Sequence, residues 1–327
     1  MRKNFLQIVW LSLMIFMIVG CRADAQTDDP IVFANDSWAS NRFYNEVAQF
    51  IIENGYDYET ENVTGSTAAF LTGMTDNEVD VHMELWSKNI SDYYHESLKN
   101  GDFQLMSINF DDNEQGFYVP TYVIEGDPER DIEAMAPDLE YISDLPEYWE
   151  LFKDPEDSSK GRVVGWLSGV DTDEILYNAF EYYGLDEMFN YFRPGSETAI
   201  DASIVKAYEN GDAWVGYSYD PHWIMGKYDM TLLKEDEGSR ALEDLDSQDI
   251  HIIASNSLIE RAPEVADFLS EFVTSSAVAN DALTFMENED ASEYEAAIDF
   301  LQNNEDMWSK WVPDDIADRV NEALDAS

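Results

Sequence analysis

Short apolar segments alternate with amphipathic helical segments along most of this chain, and that alternation constrains the fold more than any other feature. Residues 31–34 predict a buried strand, and residues 37–54 predict a helix with one apolar face that stops at Gly55. Further strands are predicted at residues 79–85, 163–167, 213–219 and 250–254, and helices at residues 173–183 and 199–210. A strand followed by a helix, several times over, predicts an α/β fold.

The length of the chain predicts two lobes. Its 327 residues exceed what one hydrophobic core usually organises, because single cores stop growing beyond about 250–300 residues. No internal repeat, low-complexity tract or linker divides the sequence, and more helices are predicted at residues 263–272, 293–302 and 314–324. We therefore expect the two lobes to share the chain rather than to follow one another along it.

The first residues have the composition of a secretory leader. Arg2 and Lys3 precede an apolar run from Phe5 to Gly20, and Cys21, the only cysteine of the chain, comes next. This order resembles a bacterial lipoprotein signal. We predict a signal peptide over residues 1–20, lipidation at Cys21 and a lipid-anchored linker over residues 21–28, which place the rest at the extracytoplasmic face of the cell membrane. The alternatives are a leader with an incidental cysteine and an uncleaved membrane anchor.

The charge balance excludes nucleic acid as a partner. Lys and Arg number 18 against 69 Asp and Glu, which gives a net charge of −51. Such a surface repels itself at low ionic strength, whereas molar salt shortens the screening length to about 3 Å. We therefore predict a halophilic or salt-tolerant source. Disorder is the alternative for so acidic a chain, but a content of 45% hydrophobic and 13% aromatic residues is ample for a core.

The sequence carries none of the common short motifs of enzymes. The four histidines, His82, His95, His222 and His251, lack the spacing of metal sites, and no GxSxG, P-loop or GxGxxG is present. We therefore expect no catalytic residue, metal or cofactor. The alternative is an extracytoplasmic enzyme for small molecules, in which an acid–base set would have to come from Asp171, Asp173 and His222.

Aromatic residues follow several of the predicted strands, as Trp38, Trp86 and the segment 217–223 (YSYDPHW) show. Ligands of open α/β sheets bind beyond the carboxyl ends of strands, where these residues fall. With other blocks in the same order, they resemble the substrate-binding lipoproteins of ABC importers for glycine betaine, choline and related quaternary amines. The blocks are SWA at 37–39, VDVHMELW at 79–86, VPTY at 119–122, APDL at 136–139, SDL at 143–145, FKDP at 152–155, YDPHW at 219–223, APEVA at 262–266 and WSKWVP at 308–313.

The resemblance implies a fold, partners and an aromatic cage. The fold would be the two-lobed periplasmic-binding-protein fold (venus flytrap, type II), with lobe 1 from residues 29–117 and 248–327 and lobe 2 from residues 118–247. The partners would be ABC permease and ATPase subunits. A quaternary ammonium has no N–H to donate, so aromatic faces hold it, at about 0.5–2 kcal/mol each. The cage residues implied are Trp38, Trp86, Tyr219 and Tyr118, with Phe117 or Tyr122 as alternatives to Tyr118.

The opposite end of the ligand is predicted less fully by the sequence. A betaine carboxylate suits the start of a helix, and the segment 165–172 runs from a predicted strand into one. Asp171, Thr172 and His222 are the candidates there. Val170 stands where choline-binding relatives tend to have an asparagine and some betaine-binding relatives a tryptophan, and Ser40 stands where choline-binding relatives have an acidic residue. These departures weaken the choline assignment and leave glycine betaine ahead. Choline, carnitine and proline betaine remain alternatives as ligands, and sensing remains an alternative to transport.

Overall fold

A computed structural model of the chain describes residues 29–327, apart from the side chains of residues 89–92. The predicted leader, Cys21 and the linker over residues 21–28 lie outside the described residues. Within the described part, no helix combines the length and the apolar character needed to cross a membrane.

Ten strands within residues 29–327 form two separate five-stranded sheets. The first has the order β2-β1-β3-β10-β4 and the second the order β7-β6-β8-β5-β9. The strands are β1 (Ile31–Asn35), β2 (Thr60–Thr64), β3 (Val81–Trp86), β4 (Phe103–Phe110), β5 (Gln115–Pro120), β6 (Gly161–Val164), β7 (Phe189–Phe192), β8 (Gly216–Tyr219), β9 (Met230–Leu232) and β10 (Ile250–Ser255). β1 runs parallel to β2 and β3, and β6 runs parallel to β7 and β8, while β10 and β5 are antiparallel to their neighbours.

Helices cover both sheets, as the α/β prediction requires. They are α1 (Ala39–Ile51), α2 (Thr67–Thr75), α3 (Ser91–Asn100), α4 (Thr121–Glu125), α5 (Asp171–Tyr182), α6 (Glu197–Asn210), α7 (Trp223–Lys227), α8 (Asn256–Arg261), α9 (Pro263–Glu271), α10 (Ser276–Glu289), α11 (Glu293–Asn303), α12 (Glu305–Trp308) and α13 (Asp314–Leu324). Each strand predicted from the sequence overlaps one of the observed strands, and each predicted helix overlaps an observed helix.

Each sheet has hydrophobic cores of its own, so the molecule consists of two lobes. The C-terminal helices pack on the first sheet, where Phe43, Phe268 and Trp308 lie in one buried cluster. Phe117, Phe180 and Tyr217 belong to a separate cluster built on the second sheet. Segments from both ends of the described chain therefore stabilise the first lobe, and the middle of the chain forms the second.

The chain crosses between the two sheets twice. The first crossing lies at residues 111–114, between β4 and β5, and the second lies at residues 233–249, between β9 and β10. The residue 117/118 boundary drawn from the sequence falls inside β5, which belongs wholly to the second sheet. The two crossings place the carboxyl ends of β1 and β3 in one lobe and those of β6 and β8 in the other.

Candidate functional site

The start of α1 and the end of β3 lie next to each other at one edge of the first sheet. Because β1 and β3 are parallel neighbours, the residues that follow them lie at the same edge. Ser40 Oγ donates to Glu84 Oε1 at 3.0 Å, and Trp86 Nε1 donates to the same oxygen at 3.1 Å. The Trp86 ring is half-buried against Phe110, with ring centroids 6.4 Å apart in an edge-to-face arrangement. Trp38, directly before α1, is 51% exposed.

Glu84 is a buried carboxyl at this edge. Its side chain is only 2% exposed, and its second oxygen, Oε2, has no hydrogen-bond partner among the described residues. Burial raises the pKa of Glu84 from 4.5 to about 7, although the hydrogen bonds from Trp86 and Ser40 oppose the shift. A carboxyl of this kind changes its charge near neutral pH, next to a predicted cage ring.

The raised pKa predicts that Glu84 lowers the stability of the fold at neutral pH. The folded protein binds this proton more tightly than the unfolded chain, so the stabilisation is present below about pH 4.5 and is lost as the pH rises to about 7. The loss is about 3 kcal/mol, since one pKa unit is about 1.4 kcal/mol. We expect Glu84→Gln to raise the free energy of unfolding by about this amount above pH 7, and not near pH 4.5, in urea titrations.

Glu61→Gln is the matched control, because Glu61 is exposed on β2. We expect this variant to follow the wild type at every pH. An unfolding free energy for Glu84→Gln that runs parallel to the wild type across the whole range would contradict the assignment of this proton to Glu84.

The edge of the second sheet holds a cluster of aromatic and acidic groups. The Trp166 and Tyr219 rings meet edge to face, with centroids 5.8 Å apart, and the Tyr219 and His222 rings lie 5.0 Å apart. The Tyr219 hydroxyl donates to Glu197 Oε1 at 2.5 Å. Burial and this carboxylate raise the pKa of Tyr219 well above its usual value, so its hydroxyl keeps its proton. Trp166 therefore belongs to the same group of rings as the predicted Tyr219.

His222 has its ring proton directed at carboxylates. Nδ1 accepts from the backbone N–H of Ile224 at 3.3 Å, so the neutral ring carries its proton on Nε2. Nε2 lies 3.6 Å from Glu197 Oε1 and 3.8 Å from Asp201 Oδ1. The His222 ring, together with the Tyr219 hydroxyl, lowers the pKa of Glu197 against the effect of burial. In this conformation the His222 N–H is thus directed at Glu197 and Asp201 rather than left open for a ligand carboxylate.

Tyr118 lies on the opposite face of the second sheet from Tyr219. It pairs with Gly216 in register, whereas Tyr219 pairs with Gln115, and the odd offset between Tyr118 and Gln115 points their side chains to opposite faces. The Tyr118 hydroxyl is buried and has no hydrogen-bond partner among the described residues, and its pKa is raised by burial.

The two alternatives to Tyr118 both have structural roles. Phe117 is fully buried in the core of the second lobe. The Tyr122 hydroxyl donates to the backbone oxygens of Ala207 at 3.0 Å and of Asp212 at 2.6 Å. Phe117 lies two residues from Gln115, the register partner of Tyr219, so it shares the sheet face of Tyr219 rather than that of Tyr118.

Asp171 and Thr172 open α5, as the sequence predicts for the helix after β6. Asp171 is exposed and Thr172 is half-buried, and the residue before the helix, Val170, provides no side-chain cap. The neighbouring Asp173 is buried and accepts from Tyr191 Oη at 3.0 Å and Arg193 Nε at 2.7 Å, so it holds the start of α5 to β7. The sequence analysis considered Asp171, Asp173 and His222 as an acid–base set. Asp173 is already paired with Arg193, so it is not free to act with the other two.

A side chain from the first lobe reaches the second-sheet edge. Asn280, on α10, accepts from the backbone N–H of His222 at 2.8 Å through Oδ1 and donates to Asp220 Oδ1 at 2.7 Å. Thr284, one turn further along α10, donates to the backbone oxygen of Trp223 at 3.1 Å. These bonds fix the segment that carries Tyr219 and His222 against the C-terminal helices.

Three candidate functional residues, Glu84, Glu197 and Asn280, were not predicted from the sequence. Glu84 stands two residues before Trp86 and so shares its strand face, a pattern that strand alternation could have revealed. Glu197 and Asn280 are separated from Tyr219 and His222 by 22 and 58 residues. No local pattern connects residues so far apart. Within residues 29–327, no set of three His, Asp or Glu residues is arranged to hold a metal ion.

Comparison with known families identifies the chain. The family described as the substrate binding domain of ABC-type glycine betaine transport systems matches residues 29–303. The chain belongs to this family. The match runs through both lobes, from the residues before β1 to the end of α11.

A curated relative and two solved structures illustrate the likeness. The glycine betaine/carnitine transport binding protein GbuC of Listeria monocytogenes is 25% identical over 164 residues, which are 50% of this chain and 53% of GbuC. The chain thus spans about half the length of this relative. The glycine betaine, L-proline binding protein ProX of Borrelia burgdorferi has a TM-score of 0.62 at 19% identity, covering 89% of this chain and 100% of ProX.

Lactococcal OpuAC, in its closed conformation with glycine betaine, has a TM-score of 0.60 at 16% identity, covering 87% of this chain and 100% of OpuAC. At these identities the likeness establishes a shared fold. The chain therefore has the two-lobed α/β fold of the ABC substrate-binding proteins.

Proposed function

We propose that the protein is an extracytoplasmic solute receptor that binds glycine betaine or a related quaternary ammonium osmolyte and delivers it to an ABC permease. The observation that carries the proposal is the placement of aromatic residues at the carboxyl edges of both sheets in a member of this family. Trp38 and Trp86 lie at one edge, and Tyr219 and Trp166 lie at the other.

The chemistry of the ligand explains why rings are needed. A trimethylammonium group has no N–H, so a protein attracts it with the negative faces of aromatic rings. The half-exposed Trp38 and the half-buried Trp86 have ring surface available for such a group, and Tyr219 contributes from the other lobe. Tyr118, Asp171, Thr172 and His222 remain predicted contacts.

Choline is the second candidate ligand, because acidic groups lie at both edges. Glu84 stands behind Trp86, and Glu197 and Asp201 stand around His222. Carboxylates attract a net cation and repel the carboxylate of a betaine. Glycine betaine stays first because Ser40 and Val170 occupy the positions at which choline-binding relatives differ, and carnitine and proline betaine are related possibilities.

The cellular setting completes the proposal. Cys21 would carry a lipid after removal of residues 1–20 and tether the receptor to the outer face of the membrane, beside permease and ATPase subunits. The net charge of −51 supports work in a salty medium. An enzymatic role is not part of the proposal, since the relatives named above are binding proteins of transport systems.

We expect Trp86→Ala and Tyr219→Ala each to weaken binding of glycine betaine or choline by about 1–3 kcal/mol, because each removes a ring face and its contact area. Isothermal titration calorimetry of residues 29–327 in high salt measures the effect. Tyr182→Ala is the matched control, because Tyr182 is exposed at the end of α5. If both cage variants bind like the wild type, the ligand site lies elsewhere.

We also expect the ligand to close the two lobes on each other. The proposed contacts are divided between the lobes, so a ligand that touches both sets favours the closed state, to the extent that it binds that state more tightly. Small-angle X-ray scattering should then show a smaller radius of gyration with saturating ligand. An unchanged radius, together with calorimetric binding, would mean that one lobe carries the whole site.

A further inference from the structure

We propose that Glu84 is a positioning residue that sets the charge behind the Trp86 ring, so that ligand affinity increases when Glu84 ionises and increases most for ligands with a net positive charge. This inference rests on the proposed function, because it assumes that a quaternary ammonium meets the Trp86 face. The inference adds a residue, Glu84, that lies behind the cage rings and affects whether the site prefers net cations or betaines.

The hydrogen bonds of Glu84 define its relation to the ring. Oε1 accepts from the indole Nε1 of Trp86 at 3.1 Å and from Ser40 Oγ at 3.0 Å, so one oxygen orients the ring and ties it to α1. Oε2 is buried and has no partner among the described residues. The negative charge of an ionised Glu84 is therefore only partly neutralised by hydrogen bonds, and it is directed at the edge of the indole.

A carboxylate in this position acts on a cation that it does not touch. A hydrogen-bonded carboxylate at the indole N–H and a cation over the ring face are separated by roughly 7–8 Å, and water is largely excluded between them. At an effective dielectric constant of about 20, the attraction is large enough to change affinity by about tenfold or more. A net cation gains this attraction in full, whereas the carboxylate of a betaine offsets part of it.

Two neighbouring groups with shifted pKa values, His82 and Tyr44, do not change charge in the same range. His82, on the same strand, is neutral at neutral pH because burial lowers its pKa to about 4. Tyr44, on α1, keeps its proton because burial raises its pKa, and the charges of Glu84 and Asp112 add to the rise. The Asp36 carboxylate, before α1, further raises the pKa of Glu84. Glu84 is thus the group of this cluster that titrates near pH 7.

The sign of the pH dependence follows from linkage. A bound cation stabilises ionised Glu84 and lowers its pKa, so binding releases a proton below about pH 7. Affinity for choline should therefore increase as the pH rises to about 7 and should then stay constant. Affinity for glycine betaine should change in the same direction but less, because its net charge is zero.

The test is calorimetric titration of the folded protein with choline and with glycine betaine between about pH 5 and about pH 8. We expect choline affinity to increase about tenfold over this range and glycine betaine affinity to increase less than about threefold. Glu84→Gln keeps an oxygen acceptor for Trp86 but has no charge, so the steeper rise of choline affinity relative to glycine betaine affinity should disappear. Choline affinity of this variant should stay near the wild-type value at low pH.

Ser40→Ala provides an independent arm that leaves Glu84 in place. It removes a hydrogen bond that lowers the pKa of Glu84, so the rise in choline affinity should move to higher pH while the plateau persists. Three outcomes would overturn the inference and leave the receptor function standing: equal pH profiles for the two ligands, a steeper choline profile that survives in Glu84→Gln, or an unmoved profile in Ser40→Ala. Failure of the wild type to bind any quaternary amine would instead refute the proposed function.

Discussion

Trp308→Ala should lower the free energy of unfolding by about 3–5 kcal/mol, which is the cost of removing a large aromatic side chain from a closed core. Trp308 is 0% exposed and is among the largest fully buried side chains of the protein. Its indole Nε1 donates to the backbone oxygen of Leu301 at 2.7 Å, so the substitution also leaves a buried acceptor without its donor. Urea unfolding in high salt, followed by tryptophan fluorescence and circular dichroism, measures the loss.

Trp38→Ala is the control of the same chemistry. Because Trp38 is half-exposed and makes no side-chain cap to α1, we expect its removal to change stability by less than about 0.5 kcal/mol while weakening ligand binding. At low temperature, the folded fraction of the Trp308→Ala variant should bind the ligand nearly as well as the wild type. The opposite pattern, in which Trp38 carries stability and Trp308 carries binding, would reverse the assignment of core and site.

Burial explains which strands the sequence reveals. β1, β3, β6, β8 and β10 were predicted, and they lie in the interior of the two sheets. β2 escaped prediction because it is an edge strand with a mostly exposed, polar sequence, Thr60–Thr64 (TENVT). β7 and β9 are short edge strands of three or four residues. β5 is the exception, because it is an interior strand with five buried residues and still escaped prediction. Apolar patterning therefore finds most of the interior strands and leaves the edge strands undetermined.

Gly55 shows why a glycine is an ambiguous signal. The sequence places a helix stop there, whereas α1 ends at Ile51 and a π-helical turn continues over Ile52–Tyr56. A Cβ on Gly55 would lie 2.6 Å from a methyl group of Ile316 on α13. The glycine is therefore required for close packing against the C-terminal helix rather than for the termination of α1. That contact joins residues 261 positions apart, which local patterns do not report.

The candidate site, too, is only partly predictable from the sequence. The rule that ligands bind beyond strand ends predicts the edge positions of Trp38, Trp86 and Tyr219 from the sequence alone. The surroundings of those rings depend on tertiary contacts, such as the Glu197 carboxylate at Tyr219. The acidic character of both edges therefore emerges only from the fold, and it bears directly on which ligand the site prefers.

Arg261→Met should destabilise the first lobe by about 3–5 kcal/mol, because it leaves a buried carboxylate without its cation. Arg261 Nη2 lies 2.5 Å from Asp80 Oδ2, and the side chains are only 15% and 5% exposed. Asp80 also accepts from Val32 N and Ser255 Oγ, both at 3.0 Å. The pair thus joins β1, β3, β10 and α8, and it connects early and late parts of the chain in one lobe.

The surface pair of Arg240 and Glu243 provides the contrast. Arg240 is 79% exposed, so Arg240→Met should cost less than about 1 kcal/mol, and molar salt should remove most of that cost. The cost of Arg261→Met should persist in molar salt, because ions do not reach the buried carboxylate. The double variant Asp80→Asn with Arg261→Met should recover part of the loss, since it removes the unpaired charge. Equal salt sensitivity of the two single variants would mean that Asp80 and Arg261 are paired through solvent, and that neither is essential to the closure of the first lobe.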